Sequence, residues 1–286
     1  MSGGVSGLLA ILDLEPLEVN IFRGSSPDAS VQRVFGGQVA GQALVAAGRT
    51  VPPDRRVHSL HAYFLRPGDP TIPIVYEVDR IRDGRSFTTR RAVAIQHGEA
   101  IFHLSASFQV EEPGVEHQSP MPVVPDPETL PTIAQWQDAA GIPLEDRRSA
   151  PAEIDLRYVD DPPWVALETT GPRSAQRVWF RASGSMPDDP LLHVCAATYA
   201  SDMTLLDSVL LANGLAWDDN TSVMVASLDH AMWFHRPFRA DDWCSTTSSR
   251  RPPPVRADWR SADCSPATAG MSFRWCRKAS CARSDD

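Results

Sequence analysis

Ser59-Leu60-His61-Ala62-Tyr63-Phe64-Leu65-Arg66-Pro67 returns late in the chain as Ser227-Leu228-Asp229-His230-Ala231-Met232-Trp233-Phe234-His235-Arg236-Pro237. Allowing a short insertion, the two stretches share Ser-Leu, His-Ala and Phe-x-Arg-Pro in the same order, which favours duplication over chance. Each lies in a strand-like run and each follows a helix-like segment. The order strand, helix, strand therefore occurs twice. The expected architecture is α+β: two similar halves, each a helix wrapped by an antiparallel sheet.

The segments around the repeat fit that plan. Leu17 to Phe22 reads as a strand, with Leu17, Val19 and Ile21 alternating against Glu18 and Asn20. Phe35 to Ala47 reads as a helix opened by Gly36 and Gly37, and its residues Val39, Ala43, Ala46 and Ala47 form a small apolar face suited to close packing. His58 to Phe64, Ile72 to Ile81, Ser86 to Gln96 and Ala100 to Val110 read as a meander, broken by turn signals such as Arg66-Pro67-Gly68-Asp69-Pro70, Asp83-Gly84 and His97-Gly98. In the second half, Glu153 to Val159, Arg177 to Ala182 and Met224 to Phe234 read as strands. Asp189 to Ala200 reads as the helix, with Leu192, Cys195, Ala196 and Tyr199 at helical spacing. Between the halves, Pro113 to Pro131 is proline-rich and acidic, as a connector should be. The expected divisions are a first domain over 1–112, a linker over 113–150, a second and incomplete domain over 151–243, and an anomalous tail over 244–286.

The chain has 286 residues, enough for two domains with substantial cores. Its formal charge of -9 argues against a nucleic-acid partner, because phosphate binding depends on clustered Lys and Arg. No run approaches the roughly 18 apolar residues of a membrane span, and Met1 to Leu12 lacks the cationic start of a leader. A soluble, cytoplasmic protein with no membrane partner is expected. Of five cysteines, four (Cys244, Cys264, Cys276 and Cys281) crowd the end of the chain and only Cys195 precedes them. A disulfide framework would be spread through the fold it staples, so this crowding needs another explanation.

Several blocks resemble one family, the type II acyl-CoA thioesterases, which are double-hotdog proteins. They are Arg33-Val34-Phe35-Gly36-Gly37-Gln38-Val39-Ala40-Gly41-Gln42-Ala43-Leu44, His58 to Asp69, Arg82-Asp83-Gly84-Arg85-Ser86-Phe87, Ala106-Ser107-Phe108-Gln109, Tyr199-Ala200-Ser201-Asp202, and Leu228 to Pro237. The resemblance implies a double hotdog that hydrolyses acyl-CoA to fatty acid and CoA, with no cofactor and no metal, and that assembles as a homo-oligomer. It also implies a water held jointly by an Asp, a Ser or Thr, and a Gln. The Asp is carried onto Asp202 and the hydroxyl onto Ser227. The Gln belongs in a final strand reading roughly Val-Gln-Glu-Gly, which this sequence lacks.

Each of these residues has a plainer reading. Asp202, after Ser201 and before Leu205 and Leu206, is an ordinary N-cap candidate. Ser227 among apolar neighbours in a strand usually bonds nearby backbone. His58 and His61 have opposite strand parity, which argues against a shared metal. Gly36 and Gly37 can bring a ligand close to helix N–H groups, or serve only to let the helix pack on the sheet. No Gly-x-Ser-x-Gly elbow or Gly-x-x-x-x-Gly-Lys loop is present.

From Cys244 onward there is no Leu or Ile, one Val, one Phe and two Trp, against eight Arg or Lys. Such a stretch is not expected to supply the second meander. A shifted reading frame explains it. Trp243-Cys244-Ser245-Thr246-Thr247-Ser248, written with permitted codons as TGG TGC TCT ACG ACC AGC, gives Val-Leu-Tyr-Asp-Gln when read on from the third base. Phe273 to Cys281, written TTT CGG TGG TGC AGG AAG GCC TCG TGC, gives Ser-Val-Val-Gln-Glu-Gly-Leu-Val in the same frame. The Gln requires an AGG-type codon at Arg277, whereas the Trp-Cys pairs force Val. The hypothesis is that one base, a G after Trp243, was lost from the gene or its record. Two other readings of the whole chain stand beside hydrolysis: an acyl-CoA-binding hotdog without activity, and a hydratase acting on an enoyl thioester.

Overall fold

The computed structural model describes residues 4–27, 33–115, 117, 120–143, 152–215, 223–250, 258–266 and 273–283. In chain order the first half contains helix α1 (Val5–Leu12), strands β1 (Glu15–Glu18) and β2 (Ile21–Gly24), helix α2 (Gly36–Gly48), and strands β3 (Arg55–Phe64), β4 (Ile74–Asp83), β5 (Phe87–Gln96) and β6 (Glu99–Val110). A connector follows with helix α3 (Ile133–Ala139). The second half contains β7 (Ile154–Tyr158), α4 (Pro163–Thr169), β8 (Ala175–Ala182), α5 (Pro190–Ala200), α6 (Asp207–Ala212), β9 (Val223–Phe234), β10 (Cys244–Arg250), β11 (Asp258–Pro266) and β12 (Phe273–Arg283).

These strands form one antiparallel sheet in the order β1-β2-β4-β5-β6-β3-β9-β12-β11-β10-β8-β7. The order reads the same from either end once each first-half strand is exchanged for its second-half counterpart, as a duplicated unit related by a two-fold axis requires. The axis passes through the β3–β9 pairing, where His61 lies opposite Ala231, Ser59 opposite Trp233 and Tyr63 opposite Asp229. Helices α2 and α5 lie antiparallel on the concave face. They pack so closely that a Cβ on Gly37 would meet the Tyr199 carbonyl oxygen at 2.3 Å. Ala40, Ala43, Ala46, Ala47, Ala196 and Ala197 are buried in the core beside Leu44, Phe102 and Phe108, so small helix residues let the sheet close around both helices.

The register corrects the sequence alignment of the repeats. In β3 the extra residue of a bulge falls at His58, between Val57 and Ser59, and in β9 it falls at Leu228, between Ser227 and Asp229. Laying Phe64 on Phe234 superposes the two bulges and needs no insertion. Val57, rather than Ser59, is then the counterpart of Ser227.

Two further expectations differ from the structure. Leu17 to Phe22 is not one strand: Asn20 has φ of 64°, and the run folds into the β1–β2 hairpin. Within the expected connector, Thr132 and Gln135 form a reciprocal capping box that starts α3. The connector also packs onto the second half, where Trp179 Nε1 donates to the Pro125 carbonyl at 3.1 Å and Trp243 Nε1 to Glu128 at 2.9 Å. Residues 144–150 of the expected linker lie outside the described residues. The stretch from Cys244 does supply the second meander, as β10, β11 and β12, with β10 pairing to β8 and β12 to β9. Ladder hydrogen bonds are made by the backbone, and the exposed edges of β8 and β9 template them whatever the side chains are.

The side chains of β10 nevertheless depart from those of its counterpart. In β4 the inward residues Ile74, Tyr76 and Val78 are buried at 0 %, 0 % and 3 % exposure. Counting from Pro67 in one half and Pro237 in the other, the matching positions of β10 are Cys244, Thr246 and Ser248, which are also buried. Thr246 and Ser248 satisfy their hydroxyls on the Val178 and Gln176 carbonyls. A row of large apolar side chains is thus replaced by small polar ones facing the same layer.

Candidate active site

Asp202 directly follows Ser201, the C-cap of α5. It is not a helix N-cap: α6 starts later, with Leu206 in that position. Its carboxylate crosses the boundary between the halves and lies over the start of α2, where a Cβ added to Gly36 would stand 2.7 Å from Asp202 Oδ2. The same Cβ would meet the Phe64 ring at the end of β3, also at 2.7 Å. The N-cap of α2 is Phe35, whose side chain makes no cap hydrogen bond, so the carboxylate lies beside the first N–H groups and the positive end of the helix dipole.

The two glycines therefore do different work. Gly37 admits the Tyr199 carbonyl and is a packing residue. Gly36 makes room for Asp202 at a helix N-terminus, and the functional reading falls on it.

Ser227 is half-buried on β9. Three residues further on, His230 is buried at 2 % exposure and its Nε2 lies 2.9 Å from Ser201 Oγ. Ser201 donates its one hydroxyl proton to the Thr198 carbonyl at 2.7 Å, so in the bond with His230 it accepts, and the imidazole carries its proton on Nε2. This contact ties the end of α5, from which Asp202 projects, to the strand that carries Ser227. His230 was not singled out in the sequence; only its place in the Asp-His pair following Ser-Leu marked it. Strand β12, which pairs with β9, contains no Gln.

The parity argument about His58 and His61 does not hold in the structure, because the bulge at His58 shifts the alternation. The rings still have separate partners: His58 Nε2 bonds Ser107 Oγ at 2.8 Å, while the His61 ring lies 4.9 Å from that of Tyr63.

Comparison with known proteins identifies the family. The family described as acyl-CoA thioesterase N-terminal domain matches residues 25–109, and the family described as acyl-CoA thioesterase matches residues 149–252. The chain belongs to the acyl-CoA thioesterase family. Acyl-coenzyme A thioesterase 8 of Homo sapiens is 43 % identical over 245 residues, covering 82 % of this chain and 75 % of that protein. Acyl-CoA thioesterase 2 of Haemophilus influenzae is 39 % identical, covering 85 % of each. Among solved structures, an acyl-CoA thioesterase II from Mycobacterium marinum is 41 % identical with a TM-score of 0.78, covering 97 % of both chains. A protein with hot dog fold from Alicyclobacillus acidocaldarius, 15 % identical with a TM-score of 0.76 over 98 % of this chain and 99 % of that one, shares the fold. The expected double hotdog is thus the observed fold. Among the described residues no helix is long and apolar enough to cross a membrane.

Proposed function

We propose that the chain hydrolyses acyl-CoA, with Asp202 as the base and Ser227 as a second holder of the attacking water. Water adds to the thioester carbonyl as its proton passes to the Asp202 carboxylate. The tetrahedral intermediate then expels the thiolate, which takes up a proton, leaving fatty acid and CoA. The start of α2 faces the same place, and its positive dipole end suits the developing negative charge on the carbonyl oxygen. The observation that carries the reading is the contact between the Asp202 carboxylate and Gly36, which joins a base on one half to a helix N-terminus on the other.

The test is release of thiol from acyl-CoA, followed with a thiol reagent. Asp202→Asn is expected to lower the rate by ~10²- to 10⁴-fold, the worth of a positioned general base. An unchanged rate in that variant rules out the assignment. Binding without turnover would favour the inactive acyl-CoA binder, and hydration of an enoyl thioester without thiol release the hydratase.

The frame hypothesis belongs to the same proposal. It is supported by the match to the thioesterase family ending at residue 252, and it is compatible with Thr246 standing where β4 has Tyr76, since the shifted frame gives Tyr at that position when the Ser245 codon ends in T. The missing Gln follows from the same loss. Assembly as a homo-oligomer in the cytoplasm is also part of the proposal. Tyr63 and Trp233, 42 % and 41 % exposed, support self-association, and sedimentation measures it.

A further inference from the structure

The two-fold arrangement creates two ends where one helix finishes against the start of the other. One end is the Asp202–Gly36 site. At the other, α2 finishes against the start of α5, and a Cβ on Gly48 would meet the Leu191 side chain at 2.5 Å. A cleft of about 1200 Å³ opens there, larger than an ordinary small-ligand pocket. Its walls include Gly48, Val57, Leu191, His193 and Phe238.

Each polar group of the first end has an apolar or absent counterpart here. Val57 stands where the other half has Ser227. When Val39 is laid on Val194, Ala47 and Gly48 occupy the stretch that matches Asp202. This end lacks the groups that would activate water.

It has gained His193. This ring is 3 % exposed, and its Nδ1 accepts the Ala240 backbone N–H at 3.1 Å. The ring proton is therefore on Nε2, and that atom is buried with no hydrogen-bond partner among the described residues. A buried donor left unsatisfied is costly, and a ligand oxygen would relieve that cost. Burial, and then the Arg239 charge, hold the imidazole below its ordinary pKa, so the donor is neutral and does not select an anion. Three of the cations around the cleft are engaged with named partners: Arg239 with Asp188 and Asp241, Arg55 with the Gly84 carbonyl and Thr88, and Arg56 with Glu111. What fits is an uncharged carbonyl followed by an apolar chain.

We infer that this cleft is a second, non-hydrolytic site for an acyl thioester, whose carbonyl or amide oxygen accepts from His193 Nε2 while its phosphates, if any, stay outside. The ligand class rests on the proposed function; the donor and the cleft do not. The probe is a medium-chain acyl N-acetylcysteamine analogue with CH₂ in place of sulfur, which keeps the carbonyl and cannot be hydrolysed. By equilibrium dialysis the chain is expected to saturate at two molecules, His193→Leu at one and His193→Gln, which keeps a donor, at two. The Leu variant is expected to release thiol from acyl-CoA at the unaltered rate.

Saturation of the unaltered chain at one molecule, or of His193→Leu at two, overturns the inference. A measurement on the unaltered chain guards against a variant that does not fold: the His193 Nε2–H nitrogen resonance must move during the titration, and a stationary one also overturns it. Failure of the proposed function reads differently, as absence of thiol release with His193-dependent binding intact.

Discussion

Gly36 and Asp202 belong to different repeats, yet a single methyl group on Gly36 would overlap the Asp202 carboxylate at 2.7 Å. The contact makes the helix start of one half and the base of the other into one unit. Gly36→Ala is expected to push the carboxylate and the Phe64 ring aside, and a misplacement of about 1 Å costs on the order of 10²-fold in rate. Thiol release should fall by that amount while the melting temperature barely moves, because both displaced groups are side chains that can turn away.

Gly37→Ala should behave in the opposite sense. Its Cβ would meet the Tyr199 carbonyl oxygen at 2.3 Å, and backbone against backbone cannot turn away. Helices α2 and α5 must separate, at the roughly 1–3 kcal/mol typical of overpacked sites. At this chain length each kcal/mol is worth roughly 2–4 °C, so a thermal melt should show a clear loss. Neighbouring glycines giving one rate defect and one stability defect would separate their two roles.

The contrast also shows what was legible in the sequence. The repeat ending Phe64-x-Arg66-Pro67 and Phe234-x-Arg236-Pro237 was readable because local alternation and turn residues mark strands. The register between the repeats was not, since the bulges at His58 and Leu228 exist only in relation to the partner strands β6 and β12. Gly36 and Gly37 looked equivalent because nothing local records what faces a helix from another element. Ser201 and His230 met the same limit: their 2.9 Å contact spans two elements. At β10, side-chain composition argued against strand structure, but pairing with β8 decided it.

Arg90 is the largest fully buried side chain, at 1 % exposure. It donates to Thr50 Oγ1 at 2.8 Å, to the Thr50 carbonyl at 3.1 Å and to Asp83 at 2.6 Å, fastening the end of α2 to β5. Arg90→Met leaves the buried Thr50 acceptors without their donor and should cost on the order of 1–3 kcal/mol, the penalty for buried polar groups left unsatisfied. Asp83→Asn should cost much less, because the Asp83 side chain is 52 % exposed and water replaces the lost partner. Denaturant unfolding of the two variants compares them directly.

His193 gives a pH dependence whose sign follows from its lowered pKa. Burial is the main cause, and Asp241, Asp188 and Asp189 oppose it while Arg239 adds to it. Between the lowered value and the ordinary His value of about 6.5, the unfolded chain binds more protons than the folded one. Stability therefore rises with pH through that window and levels off above it; acidification below about 6.5 removes it. In His193→Gln this contribution is absent, so the loss of Tm on moving from neutral to mildly acidic buffer should be smaller than in the unaltered chain. Equal losses would mean that other groups dominate the acid limb.

The last prediction concerns β10. Cys244, Thr246 and Ser248 occupy the inward row that Ile74, Tyr76 and Val78 fill in β4, where the Tyr76 hydroxyl also donates to Gln42 at 2.7 Å. Large-to-small replacements at buried sites cost about 2–5 kcal/mol each. Three in one row approach the whole stability of a typical domain, roughly 5–15 kcal/mol. The second half of the sheet should therefore open well before the first, and β10 amides should exchange with deuterium faster than those of β4 although both are interior strands. Inserting one G after the Trp243 codon places Val at 244 and, with the permitted codons written for these residues, Leu and Tyr at 245 and 246 and Val-Val-Gln-Glu-Gly in the last strand. The product is expected to melt cooperatively at a higher temperature, with β10 protected like β4 and with faster thiol release. If the chain as written already melts in one transition with both strands equally protected, Thr246 and Ser248 pack as well as tyrosine and valine do, and the lost base is not needed to explain the tail.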